Sequence, residues 1–226
     1  MCAARKSVVK GPSWFEVGFG AFLAILLGAI LGALYLITRP VTKAKDLPKD
    51  APAGAVYFLE GIKDYNSSHA EQKRKAFAAG ESVSIEEGDL NAFLATAVTS
   101  GGDTKAKPGD KAPPHTDNLI ELSALNVRIR AGTIQFGDTV SYNIFGFTGD
   151  VIVQSTGSFS RHGSTIEFDP DKLLIGGLPL QNFPFLRGWA LHKFLFASTP
   201  PEDLVASWNK LVDVSIEGNT LKLRMP

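Results

Sequence analysis

The chain has 226 residues, with 23 Lys+Arg against 23 Asp+Glu and a single cysteine, Cys2. From residue 50 onward there are 16 basic and 21 acidic residues, a balance that speaks against nucleic acid as a partner. One cysteine excludes a disulfide within the chain and a cysteine-rich zinc site.

Residues 1–16 form a short tail carrying Arg5, Lys6 and Lys10. Residues 17–38 (VGFGAFLAILLGAILGALYLIT) contain no charge. About 20 apolar helical residues cross a hydrocarbon core, so this stretch is long enough to span a membrane. It is longer than the 7–15 residues typical of a signal-peptide core, and no good small-x-small site follows, which favours an uncleaved anchor. Trp14, Phe15 and Tyr35 sit where amphipathic rings prefer the headgroups. Gly20, Ala24, Gly28 and Gly32 recur every fourth residue, a small-residue stripe through which a second copy or another membrane protein can pack. Basic residues flank both ends. A short tail, one helix and a long domain nevertheless read as tail inside, domain outside, in a cytoplasmic (inner) membrane.

Residues 39–54 carry three prolines and mixed charge and read as a solvated linker. Residues 55–226 are of a size that buries a core as one domain. Residues 55–62 are a short apolar run. Residues 68–79 suit a helix stopped by Gly80, with His69 on its solvated start, and Asn66-Ser67-Ser68 matches a glycosylation triplet. Ser84 and Glu87 match a capping box. The helix it opens runs to about Val98, with Leu90, Phe93, Leu94, Ala97 and Val98 on one face and Asn91 either in solvent or bonded to a neighbouring loop. Residues 100–118, rich in glycine and proline and holding His115, read as a long loop.

From residue 119 the apolar period changes to two. Leu125, Val127 and Ile129 alternate with polar residues, Ala131-Gly132 makes a turn, and Ile134, Phe136, Val140, Tyr142 and Ile144 continue the apolar face. Val151, Val153, Ile166 and Phe168 follow, and Val214 to Met225 closes the chain around Gly218-Asn219. One-sided alternation marks an antiparallel sheet of about six strands. Asp169-Pro170-Asp171 reads as a turn, and His162 as a hairpin tip. In residues 173–180 (LLIGGLPL) a Gly-Gly pair and a proline bend an apolar run. Residues 183–197 are apolar nearly all round and read as a buried helix, with a position against the membrane surface as the alternative. Thr199-Pro200-Pro201-Glu202 opens the last helix, with Thr as cap, Pro first and Glu third, and its stripe is Leu204, Val205, Trp208, Leu211 and Val212.

The fold class is therefore α+β: a membrane helix, then an antiparallel sheet, expected to curve, on two or three helices. No phosphate loop, nucleophile elbow or His-Glu-x-x-His pattern occurs, and the four histidines are scattered. The chain reads as non-catalytic, without cofactor or metal. Ligand pockets are mostly apolar with a few polar anchors. The candidate set for lipid or another apolar ligand is Leu178, Phe183, Phe185, Arg187, Trp189, His192 and Phe194. The other reading is a structural or assembly subunit of an envelope complex.

Asp89-Leu90-Asn91 in the helix entry, the one-sided hairpins, residues 175–180 (IGGLPL) and the closing hairpin together resemble the YpmS-type family of membrane-anchored bacterial proteins of unknown function, and more loosely tubular lipid-binding domains. The resemblance implies a helix-gripping sheet with an apolar groove outside the cytoplasmic membrane. It implies no catalytic residues, and the loop at 100–118 departs from it.

Overall fold

The computed structural model describes residues 11, 13–50, 52, 54–62, 67–100, 120–123, 125–144, 146–181, 183–195 and 201–226. Cys2, Asn66, His115, Phe196, Thr199 and the loop at 101–118 lie outside them.

Helix α1 (Trp14–Ile37) opens with a reciprocal capping box between Ser13 and Glu16. None of its residues is buried. At 24 residues it is about 36 Å long, some 6 Å more than a hydrocarbon core. The excess is about one helical turn. Strand β1 (Thr42–Ala44) follows and pairs in parallel with β2 (Tyr57–Leu59). The supposed linker is thus tied to the domain through this strand. Phe58 of β2 is buried. A Cβ on Gly137 would lie 2.0 Å from its ring, so glycine is what admits it.

Helix α2 (Ser67–Ala78) stops where Gly80 takes a positive φ. Next come β3 (Val83–Glu86) and α3 (Glu87–Ser100). The expected capping box is absent, because Ser84 lies in a strand paired with Lys222. Glu87 instead serves a distant edge. Leu90, Phe93 and Leu94 of α3 pack on the core as expected; the side chains of Ala97 and Val98 lie outside the described residues.

The main sheet is antiparallel and six-stranded: β4 (Ile120–Leu122) and β5 (Asn126–Arg130) both pair with β6 (Thr133–Ile144), which is followed by β7 (Phe147–His162), β8 (Thr165–Ile175) and β9 (Leu178–Pro179). Ala131 and Gly132 both have positive φ in a two-residue hairpin, the geometry that matches strand twist. Asp169-Pro170-Asp171 is not a turn. It lies inside β8, at a register shift where Pro170 faces Gly157. A bulge is where a sheet tolerates proline. A Cβ on Gly157 would lie 2.1 Å from the Asp169 carbonyl oxygen, so this close pairing requires glycine. His162 ends β7, exposed, with its Nε2 2.9 Å from Ser160 Oγ.

Helix α4 (Pro184–Ala190) continues into a π-helix (Leu191–Leu195). Helix α5 (Glu202–Trp208) is shorter than its apolar stripe, since Leu211 and Val212 lie beyond it and Val205 is exposed. Strands β10 (Asp213–Glu217) and β11 (Thr220–Arg224) form the closing hairpin and pair with β3 in a separate three-stranded sheet. The core joins both sheets: Val127, Ile129, Ile134, Val153, Leu173, Leu195, Leu204, Leu221 and Leu223 are all buried in one cluster. The fold is α+β with an N-terminal apolar helix.

Candidate functional site

Two arrangements stand out among the described residues. The first is structural. Strand β5 pairs with β6 along one edge only, and an unpaired buried edge is costly. Helix α3 fills the other edge with side chains. Asn91 accepts from the Val127 N–H at 2.7 Å and donates to the Val127 carbonyl at 2.8 Å. Glu87, one turn earlier, accepts from the Ile129 N–H at 2.9 Å. Residues i and i+4 on a helix are about 6 Å apart, and alternate strand residues are about 6.6 Å apart, so one helical turn matches one strand repeat. Both side chains also hold the segment after β2: Ile62 donates its N–H to Glu87 at 2.7 Å, and Asn91 donates to the Ile62 carbonyl at 3.2 Å. Arg128 donates to Glu87 at 3.2 Å.

Asp89, between them and also buried, faces α2. Lys73 Nζ lies 2.7 Å from its Oδ2 and His69 Nδ1 2.8 Å from its Oδ1. Burial drives its pKa up, but the bonds and charges of Lys73 and His69 prevail and hold it below the usual aspartate value. His69 is therefore a clamp between helices, not a purely solvated residue. The side chains of Glu87, Asp89 and Asn91 are thus all bonded within the fold, while the buried Arg128 Nε has no hydrogen-bond partner among the described residues.

Asp138 differs. It is 4% exposed and lies on the core-facing side of β6, between Phe136 and Val140. It stands where β4 and β5 leave a gap beside β6. Its Oδ1 has no hydrogen-bond partner. Burial pushes its pKa up to about 7, against the backbone N–H groups of Thr139 and Ser123. No group of three or more metal-type side chains occurs among the described residues.

The second arrangement lies where α1 meets the domain. Gly176 and Gly177 form the turn between β8 and β9. Gly177 donates its N–H to the Leu36 carbonyl at 2.8 Å, taking up one of the orphan carbonyls at the end of α1. Gly176 has φ +57, and a Cβ there would lie 2.0 Å from the Ile37 carbonyl oxygen. Ala33, Leu36 and Ile37, on one face of the last turn, are half-buried while most of α1 is exposed. The Gly-Gly pair therefore bends the chain as expected, and the bend receives the end of the apolar helix. Nothing local in the sequence connects residues 36 and 177.

The candidate ligand residues follow directly. Leu178 is half-buried in β9, which touches α1. Phe183 donates its N–H to the Leu180 carbonyl at 3.0 Å, turning the chain into α4. Ala190 and Leu195 are buried, and the π-helix packs on β6 and β7. The rest of the segment faces outward: Phe183, Leu186 and His192 are exposed, Phe185 is 76% and Trp189 56% exposed. Arg187 is half-exposed, and Phe194, half-buried, meets Trp189 edge-on with ring centroids 5.5 Å apart. The expected buried helix is thus buried along one side only. The candidate residues share a segment, but most of them form an open aromatic surface. Gly20, Ala24, Gly28 and Gly32 are exposed along α1, and a Cβ on any of the three glycines would meet nothing within 4 Å.

No family model and no curated protein matches the chain.

Proposed function

We propose that this is a single-pass membrane-anchored protein whose α+β domain works outside the cytoplasmic membrane, at the bilayer surface, as a non-catalytic module binding lipid or another apolar ligand. The observation that carries the reading is the joint between Gly177 and Leu36: the domain caps the one helix among the described residues that is long and apolar enough to cross a membrane. A domain so joined stays within a turn of the headgroups. The aromatic segment after β9 then lies beside the lipid phase, and the resemblance to YpmS-type and tubular lipid-binding domains points the same way.

Residues 40–226, which retain β1, purified without detergent and extracted with organic solvent, test the ligand by mass spectrometry. About one lipid per chain supports the reading; an empty, folded domain counts against it. A C-terminal reporter active only outside the cytoplasm tests the orientation. The second reading, an assembly subunit of an envelope complex, rests on the open stripe of Gly20, Ala24, Gly28 and Gly32. Gly28→Leu with Gly32→Leu then abolishes co-purification of a homodimer or membrane partner, and unchanged co-purification counts against it.

A further inference from the structure

We infer that the exposed face of α4, with Phe183, Phe185, Leu186 and Trp189, is a bilayer-insertion surface whose partner is the leaflet that α1 leaves, preferentially one with anionic headgroups. The inference rests on α1 spanning the membrane and adds what the domain itself does there.

Three observations lead to it. The first is continuity. Helix α1 exceeds a hydrocarbon core by about one turn, and the half-buried turn of Ala33, Leu36 and Ile37 is the one received by the Gly176–Gly177 bend. Tyr35, exposed in that turn, marks the headgroup level. The joint therefore sits at the interface. From Pro179, in the strand touching α1, four residues lead to Phe183, a reach of at most about 15 Å. The second is exposure. Four large apolar side chains stand open on a seven-residue helix and its entry, while its opposite side, through Ala190, is in the core. A bilayer interface is where aromatic rings with a wet edge and an apolar body are favoured. The third is charge. Residues 183–195 include Arg187, Lys193 and His192 but no carboxylate. This is the side-chain set that an anionic headgroup layer attracts, although the domain as a whole is acidic.

The test uses the full chain with Trp14→Phe and Trp208→Phe, leaving Trp189 as the single tryptophan. It is reconstituted into vesicles of phosphatidylcholine with phosphatidylglycerol. Bromine placed on the acyl chains near the headgroups quenches Trp189 by about twofold or more, bromine near the chain ends quenches it less, and aqueous iodide is excluded. Trp189 equally open to iodide with and without lipid, in a chain that resists carbonate extraction, overturns the inference while leaving the anchor intact. Extraction by carbonate removes the anchor reading and the inference with it. Because Trp208 donates to the Ile166 carbonyl and its loss can unfold the domain, a second variant repeats the measurement. It carries Cys2→Ser and Phe185→Cys, labelled with an environment-sensitive dye and keeping all tryptophans. Its emission shifts to the blue on reconstitution if Phe185 inserts, and does not shift if it faces water. In this variant background, Arg187→Glu with Lys193→Glu weakens the shift in anionic vesicles and leaves it unchanged in pure phosphatidylcholine. An equal shift in both vesicles overturns the anionic preference.

Discussion

Replacing Asp138 by Asn removes a carboxylate that the fold holds at a cost. The folded protein raises its pKa from 3.8 to about 7, chiefly by burial. The folded state therefore binds more protons than the unfolded one between these values, and stability falls as pH rises through that window. Below pH 3.8 the group is neutral in both states and costs nothing; above pH 7 the full penalty applies. At 1.36 kcal/mol per pKa unit, that penalty is of order 4 kcal/mol at pH 8 and about 1.5 kcal/mol at pH 5. An Asn amide keeps an acceptor for the backbone N–H groups of Ser123 and Thr139 and carries no charge, but its NH2 takes the position of the unpartnered Oδ1, at a cost of about 1–3 kcal/mol. Asp138→Asn should thus stabilise the domain by about 1–3 kcal/mol at pH 8, and by clearly less at pH 5. The assay is urea unfolding of the full chain in nanodiscs, read by pulse proteolysis at both pH values. A variant no more stable than the parent at pH 8, or one whose gain is the same at both pH values, refutes the reasoning.

Other perturbations follow from the same packing. Asn91→Ala leaves the N–H and carbonyl of fully buried Val127 without partners and should cost about 2–5 kcal/mol in the same assay. Lys73→Met removes one of two groups that hold the Asp89 pKa down. The stability Asp89 contributes is lost as pH falls through its depressed value, so the variant should acid-unfold at a higher pH than the parent, as followed by circular dichroism. Gly157→Ala places a methyl on the Asp169 carbonyl and should lower the thermal midpoint by several degrees. Gly176→Val strains a positive φ and collides with the end of α1. Trypsin should then cut at Lys43, Lys45 or Lys49 several-fold faster than in the parent.

Much of this architecture is legible in the chain because the forces concerned are local or periodic. An uncharged apolar run gives α1, and alternation gives the strands of the main sheet. Ala131-Gly132 and Gly218-Asn219 give hairpins, since each supplies the backbone that a tight turn demands. Misreadings arise where one residue answers to a distant one. Ser84 and Glu87 have capping-box spacing, yet Glu87 pairs with Ile129, 42 residues on. A usable signal was present: Glu87 and Asn91 are polar at i and i+4, and Asn91 lies beside the apolar stripe of a helix whose Leu90, Phe93 and Leu94 meet the core. Pro170 reads as a turn because Gly157, which opens the bulge, lies on another strand. The pairing of β3 with β11 joins residues more than a hundred positions apart, so the second sheet is invisible to periodicity. In residues 183–197, composition shows an aromatic surplus but not which side of the segment turns away from the core. That depends on where β6 and β7 stand.

The joint between α1 and the Gly176–Gly177 bend carries the proposal that the domain sits at a membrane, and photo-crosslinking tests it most directly. A benzophenone side chain at position 36 of the full chain, in vesicles, should link after illumination to the tryptic peptide of residues 173–187. Mass spectrometry of the tryptic digest identifies the adduct. Adducts on lipid alone, from a chain that is folded and inserted, would contradict the docking of the domain on the end of α1.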